Sequence, residues 1–215
     1  MNQTVSDPVA VVDGAGTAAA LVRAARELFS EHGFDGTSVR AITGRAGTNL
    51  GAITYHFGTK QALYEAVICA GVAPSHQRMA AAAAQDGPPL QRVEGVVRAF
   101  FDYLHENPDL PPLMMQLLTS SRPIPAVALQ TIQANLGLLA SLIAEGQSDG
   151  SIRVGDPRLM ALSIGAQPIW LTLARRAIQE GAEIDQDDPG TRAQLVDSVA
   201  EFVRAGLAEH SETAE

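Results

Sequence analysis

The sequence predicts an all-α protein: an N-terminal three-helix unit built on a helix-turn-helix, and a C-terminal body of about six helices. Three observations carry that prediction. Alanine dominates the 215 residues while runs of β-branched residues are rare, a balance that favours helix over strand. Apolar residues recur three and four apart in one segment after another. Breaks rich in glycine and proline separate those segments.

Residues 1 to 16 mix Gly, Asp, Pro and small apolar residues without a helical period and read as a flexible arm. From Thr17 a helix begins, with Leu21, Ala25, Leu28 and Phe29 on its inner face, and Gly33 ends it. Thr37 is expected to cap a short helix carrying Val39 and Ile42, three apart. Ala46-Gly47 closes that helix, with Gly47 free to take the left-handed conformation a helix C-terminus needs. Asn49 then suits an N-cap, and Leu50 to Phe57 makes about two turns. Ile53 and Phe57 would pack inward, leaving Asn49, Gly51, Ala52, Thr54, Tyr55 and His56 outward. Two short helices joined by a glycine-bearing turn make a helix-turn-helix, whose second helix fits the major groove of DNA. Small and polar residues on the outer face suit an approach to base edges and phosphates.

Thr59 caps the next expected helix, Lys60 to about Ala84, which Gly71 and Pro74 should interrupt or bend. Asp86 to Pro89 is a linker, followed by a helix from about Leu90 to His105. A short helix spans Leu113 to Ser120, and a long one carries Val127, Ile132, Leu136, Leu139 and Ile143. Asp156-Pro157 offers a cap with proline at the first helical position, opening a helix that runs to about Glu180. An acidic loop leads to a last helix, roughly Thr191 to Glu209, and residues 210 to 215 form a polar tail.

The run Ala46-Gly47, Asn49, Ala52-Ile53-Thr54-Tyr55-His56-Phe57, Thr59-Lys60 and Leu63-Tyr64 resembles the signature of tetracycline-repressor-type (TetR) regulators. So does Leu28 to Ser38, read as LFSEHGFDGTS. The resemblance covers roughly residues 18 to 68, with Thr43 and Thr48 standing where the family more often has alanine and valine. Each threonine hydroxyl then needs a partner, such as a backbone carbonyl one turn back. The resemblance implies a homodimer that binds a palindromic double-stranded DNA operator and is released by a small-molecule inducer. It places Thr48, Asn49, Gly51 and Ala52 near base edges, and Ser38, Tyr55, His56 and Lys60 on phosphates. Tyr55 has core packing as an alternative use, and Thr48 and Gly51 have turn geometry. The domains expected are a helix-turn-helix domain over 17–68 and a ligand-binding, dimerising body over 69–209.

A net charge of −9 is unusual for a DNA binder until it is divided: residues 17–68 carry +1, residues 69–215 carry −8, and Asp7 and Asp13 supply the rest. An acidic body repels phosphate and helps orient the molecule. Lys60 is the only lysine in the sequence. One cysteine, Cys69, allows no internal disulfide and fits a reducing cytoplasm. The opening residues lack a signal peptide's pattern, and no stretch is expected to reach the ~20 apolar residues of a spanning helix, so the expectation is a cytoplasmic protein without a membrane.

No catalytic group, metal or cofactor is expected. The five histidines are scattered, Cys69 and His76 read as a core thiol and a surface histidine, and no phosphate-cradling loop or nucleophile elbow occurs. The rival to a DNA binder is a helical interaction module that keeps the motif only as scaffold. The last two long helices are apolar on one face and either form the dimer interface or close the monomer core. Phe100, Phe101, Leu104, Met114, Met115, Leu118 and Trp170, with Gln116 and Gln167 as polar contacts, either line a cavity for an apolar or aromatic inducer or are plain core. Pro168 favours the cavity, because it strips a donor from the turn holding Ile164.

Overall fold

Helix ends set this architecture. The computed structural model describes residues 14–209, and among them ten helices where nine were expected. They are α1 (Gly14–Gly36), α2 (Val39–Arg45), α3 (Gly51–Phe57), α4 (Lys60–Ala83), α5 (Pro89–Glu106), α6 (Leu110–Thr119), α7 (Ala126–Ser148), α8 (Pro157–Leu173), α9 (Arg175–Ala182) and α10 (Pro189–Leu207). The tenth arises because the helix expected to run to Glu180 breaks at Ala174 (φ −85°, ψ 7°). Of the expected arm, residues 14 to 16 already belong to α1, and residues 1 to 13 lie outside the described residues, as does the tail at 210 to 215. The described residues divide into two units between Val67 and Ile68.

In the second unit, α8 and α10 begin as the sequence anticipates, with Pro157 and Pro189 at the first turn behind aspartate caps. Asp156 accepts from the Arg158 backbone N–H and Asp188 from that of Thr191. The Arg158 side chain and backbone N–H together pull the Asp156 carboxyl down to about 2. A carboxylate so lowered stabilises the fold fully above the ordinary carboxylate range, and that contribution is lost as pH falls from about 4 towards 2.

The core gathers Met79 and Ala83 of α4 with Val93, Val96, Val97 and Phe101 of α5. Leu139, Leu142 and Ile143 of α7, Met160, Ala161 and Ile164 of α8, and Val196, Val199, Val203 and Leu207 of α10 complete it. Helix α5 lies at the centre, packing on α7, α8 and α10. Its one buried charge, Glu94, meets Arg204 of α10 through two 2.6 Å hydrogen bonds, so that the carboxylate is not left unpaired in the core.

Two expectations for this unit change. Helix α4 is continuous through Gly71 and Pro74. Gly71 lets Leu110 sit against its backbone, and the buried Tyr103 hydroxyl donates to the Gly71 carbonyl, one residue from the carbonyl whose donor Pro74 lacks. Helix α7 is, by length and composition, apolar enough to cross a membrane, with a mean hydropathy of 1.5 in its best window, against the expectation that no stretch is. Its Ala128, Leu139, Leu142, Ile143 and Gly146 are buried in the second unit, and these make up the minority of the helix that is buried.

The turn after α7 depends on a missing side chain. A Cβ on Gly146 would lie 2.5 Å from the Ile152 Cδ1, and Ile152 is fully buried. Gly146→Ala should therefore cost about 1–3 kcal/mol by overpacking. Gly137→Ala on the same helix, where a Cβ meets nothing within 4 Å, should be neutral or stabilising by up to ~1 kcal/mol. Urea unfolding of the two variants beside the wild type checks both.

Candidate nucleic-acid interface and ligand cavity

The first unit is assembled around aromatic rings. Gly33 (φ 71°) reverses the chain at the end of α1, a conformation that glycine adopts without strain. The reversal folds Phe34 back: its ring centroid is 5.8 Å from that of Phe29 and 5.2 Å from that of Tyr64. Tyr64 meets Phe29 edge-on at 5.0 Å. Leu21, Leu28, Ile42, Ile53, Leu63 and Val67 are buried in the same unit.

Thr37, expected as a cap, is buried instead. Its hydroxyl lies 2.8 Å from the Gly33 carbonyl and 3.0 Å from that of Leu28, tying the linker back to α1. The cap falls one residue later, where Ser38 Oγ accepts from the Ala41 N–H at 3.0 Å. Helix α2 ends as expected: Gly47 is left-handed (φ 66°), and the Thr48 N–H donates to the Thr43 carbonyl. The Thr43 hydroxyl finds the carbonyl of Val39, one turn back, at 3.1 Å. Helix α3 has no side-chain cap; Leu50 takes the N-cap position, and Asn49 contributes its carbonyl to the Ala52 N–H. That leaves the Asn49 side chain exposed at the start of the helix.

On α3, Gly51, Thr54 and Tyr55 are exposed, Tyr55 at 84%. Its ring stands edge-on to His56 at 4.8 Å, and the phenol makes no hydrogen bond among the described residues. Core packing of Tyr55 is thereby ruled out, and His56 is half-buried. Ala52 is corrected: it is 8% exposed and turned inward beside Ile53, because one residue of helix carries it 100° round from Gly51. Lys60 is also more than a surface cation. Its Nζ donates to the Phe34 carbonyl at 2.5 Å and lies 4.2 Å from the centroid of the Phe34 ring.

The expected inducer residues do not converge. Phe100 alone lines the apolar cavity of about 220 Å³ that the second unit contains. Phe101 and Leu104 are buried, and Phe101 borders a separate crevice with Leu195. Met115 and Leu118 are exposed and Met114 is half-buried; Gln116 is half-buried too, its Oε1 enclosed without a partner among the described residues. Gln167 faces a groove with Phe202, and Trp170 is 63% exposed. The reason is rotational. Leu162, Gly165, Ala166 and Ile169 form the stripe of α8 that lines the cavity, and Gln167 and Trp170 lie off that stripe.

From α7 a matching stripe faces it: Ile132, Asn135, Leu136 and Leu139. Asn135 is the polar member, and sequence reasoning passed it over. The signal was an amide placed three, one and four residues from apolar neighbours in a stripe of period 3.6. Its Oδ1 is 2.9 Å from His76 Nδ1, and its Nδ2 donates to Ser75 Oγ at 3.1 Å. The Ser75 hydroxyl gives its proton to the Val72 carbonyl, so it accepts from the amide. The amide oxygen therefore faces His76, and Nδ1 of that ring carries a proton. His76 is half-buried in this network and not a surface residue.

Residues 21–67 match the family described as bacterial regulatory proteins, tetR family. An HTH-type transcriptional repressor of Mycobacterium tuberculosis is 47% identical over 51 residues, 24% of this chain and 27% of that relative. The chain thus matches about a quarter of the length of that curated relative. A tetR-family regulatory protein from Rhodococcus shares the fold with a TM-score of 0.74 and 22% identity, over 90% of this chain and 98% of that one. FadR of Bacillus subtilis, solved in complex with stearoyl-CoA, gives 0.72 at 20% identity, over 87% and 98%. The first unit is a helix-turn-helix domain with its second helix outward. Residues 21–67 of it are similar to the tetR-family domain, and the chain shares its fold with solved regulators of that kind.

Thr37 provides a test of how this domain is held. Thr37→Val keeps the shape and removes the hydroxyl that serves two carbonyls, the buried one of Leu28 and the half-buried one of Gly33. It should cost about 1–3 kcal/mol, read by thermal unfolding, whereas Thr54→Val on the exposed face of α3 should leave stability within about 0.5 kcal/mol.

Proposed function

We propose that this protein is a homodimeric transcriptional repressor that binds a palindromic operator in double-stranded DNA through α3 and is released by a small apolar molecule held in the second unit. The observation that carries the reading is the outer face of α3. Asn49, Gly51, Thr54 and Tyr55 stand exposed on a helix whose inner residues, Ala52 and Ile53, are fixed in the core. A scaffold needs only the inner residues; it gives no reason for a tyrosine to stand in solvent at 84%. Thr48, Asn49 and Gly51 are assigned to base edges, and Tyr55, His56 and the Ser38 hydroxyl at the start of α2 to phosphates. Lys60 holds α4 to the Phe34 turn and so positions α3; any phosphate contact it makes is added to that duty.

Specific reading needs two such helices, because one reaches too few bases. Helices α8 and α10 supply a surface for pairing. Leu159, Leu162 and Trp170 on α8 and Phe202 on α10 are each more than half exposed, apolar side chains that pairing would remove from water. Leu195 of α10 does not belong to that surface: it is half-buried and borders a crevice with Phe101. FadR was solved with an acyl-CoA, and the cavity between α7 and α8 makes an apolar effector the natural class here.

Two measurements test this. Tyr55→Phe should weaken binding to every DNA sequence by the same factor, roughly 3–10-fold for one hydrogen bond, with folding unchanged. A change in sequence preference would remove Tyr55 from the phosphates. Replacing Trp170 and Phe202 together by glutamate should give monomers by light scattering that keep wild-type helical content; dimers of unchanged mass would place the interface elsewhere.

A further inference from the structure

The cavity between α7 and α8 specifies more than an apolar ligand. None of its ten lining residues is ionisable, and Asn135 is the polar one. A charged head group seated against these residues would give up hydration for apolar side chains and meet no counter-charge in the lining. The Asn135 carboxamide spends its oxygen on His76 and one N–H on Ser75, consecutive residues of α4 directly after Pro74. It has a second N–H to offer, so the lining presents a donor and no ionic partner.

Resting on the reading above of a ligand-released regulator, we propose that the effector is an uncharged, largely apolar molecule with one hydrogen-bond acceptor, such as a ketone or ester. Its acceptor takes the second Asn135 N–H, and rotating the carboxamide to aim that N–H at the ligand draws it from Ser75. The Nδ2–Ser75 bond, at 3.1 Å, is the longer of the two that tie α7 to α4 here. Breaking it frees α4 at the turn where Pro74 already omits a backbone hydrogen bond. Because α4 begins at Lys60, beside α3 in sequence, this is the helix through which occupancy is read. The effector shifts operator affinity only by as much as it prefers the loosened form.

The test uses three molecules of one shape: acetonaphthone, which is an uncharged ketone, ethylnaphthalene, which lacks an acceptor, and naphthoate, which is charged. Titration calorimetry on the full chain should show acetonaphthone binding about tenfold tighter than either of the others, the worth of one buried hydrogen bond. Asn135→Leu should level the ketone with the hydrocarbon; if that variant does not fold, Asn135→Ala carries the same comparison. Gly165→Leu, at a position where a Cβ meets nothing within 4 Å, should fill the cavity and weaken the ketone and the hydrocarbon alike. Ser75→Ala should keep ketone affinity within about threefold while the ketone no longer alters operator binding. No preference for the ketone, a preference that survives at Asn135→Leu, or unchanged binding at Gly165→Leu overturns the assignment. A ketone that binds the wild type without shifting its operator affinity, or a Ser75→Ala protein that still responds, overturns the coupling to α4. A wild type that binds the ketone with the stated selectivity and no DNA at all sinks the regulator reading and leaves the cavity chemistry standing.

Discussion

Everything the first unit presents to solvent hangs on three rings in mutual contact, one pair stacked and two edge-on. Phe29, Phe34 and Tyr64 come from α1, its reversed end and α4, and they meet at 5.0–5.8 Å. That cluster sets where α4 begins, and Lys60 and Thr37 lock it from either side, one through the Phe34 carbonyl and ring, the other through the carbonyls of Leu28 and Gly33. The two short helices between them have seven residues each, too short to hold their own shape in water. Their geometry is borrowed from this frame, which is why the outer face of α3 can be made of residues that stabilise nothing.

Much of this was legible because it rests on local rules. Gly47 had to be left-handed, the Thr43 hydroxyl had to find a carbonyl one turn back, and Asp156-Pro157 had to open a helix. What the sequence hid was rotational and non-local. Thr37 and Ser38 are adjacent and both can cap; only the Leu28 carbonyl, nine residues away, decides that Thr37 turns inward. Ala52 fits either face of a helix until Ile53 anchors it. The expected inducer pocket failed for the same reason. Methionines and aromatics were gathered from α5, α6 and α8 by type, yet Trp170 lies a fraction of a turn from the stripe that faces α7, and α6 turns Met115 and Leu118 to solvent.

The division of charge matches the division of labour. The first unit is near neutral and the acidic residues are concentrated in the second, so a phosphate-bearing partner is repelled by the second unit and not by the first. The second unit spends its polar groups sparingly. Two networks join its helices through side chains: Glu94 with Arg204 links α5 to α10, and Asn135 with Ser75 and His76 links α7 to α4. One is an ion pair with both carboxylate oxygens satisfied and resists rearrangement; the other is made of neutral bonds beside a cavity and a proline, and yields first.

The central claim is that two copies of α3 read one DNA site. Footprinting of the full chain on the DNA upstream of its own gene tests it most directly. The account predicts a single protected segment with two-fold symmetry, its half-sites centred about 34 Å apart or a multiple of that, and loss of protection when α3 carries Tyr55→Ala and Asn49→Ala together. Protection without symmetry, or protection that the doubly substituted α3 leaves intact, would contradict it.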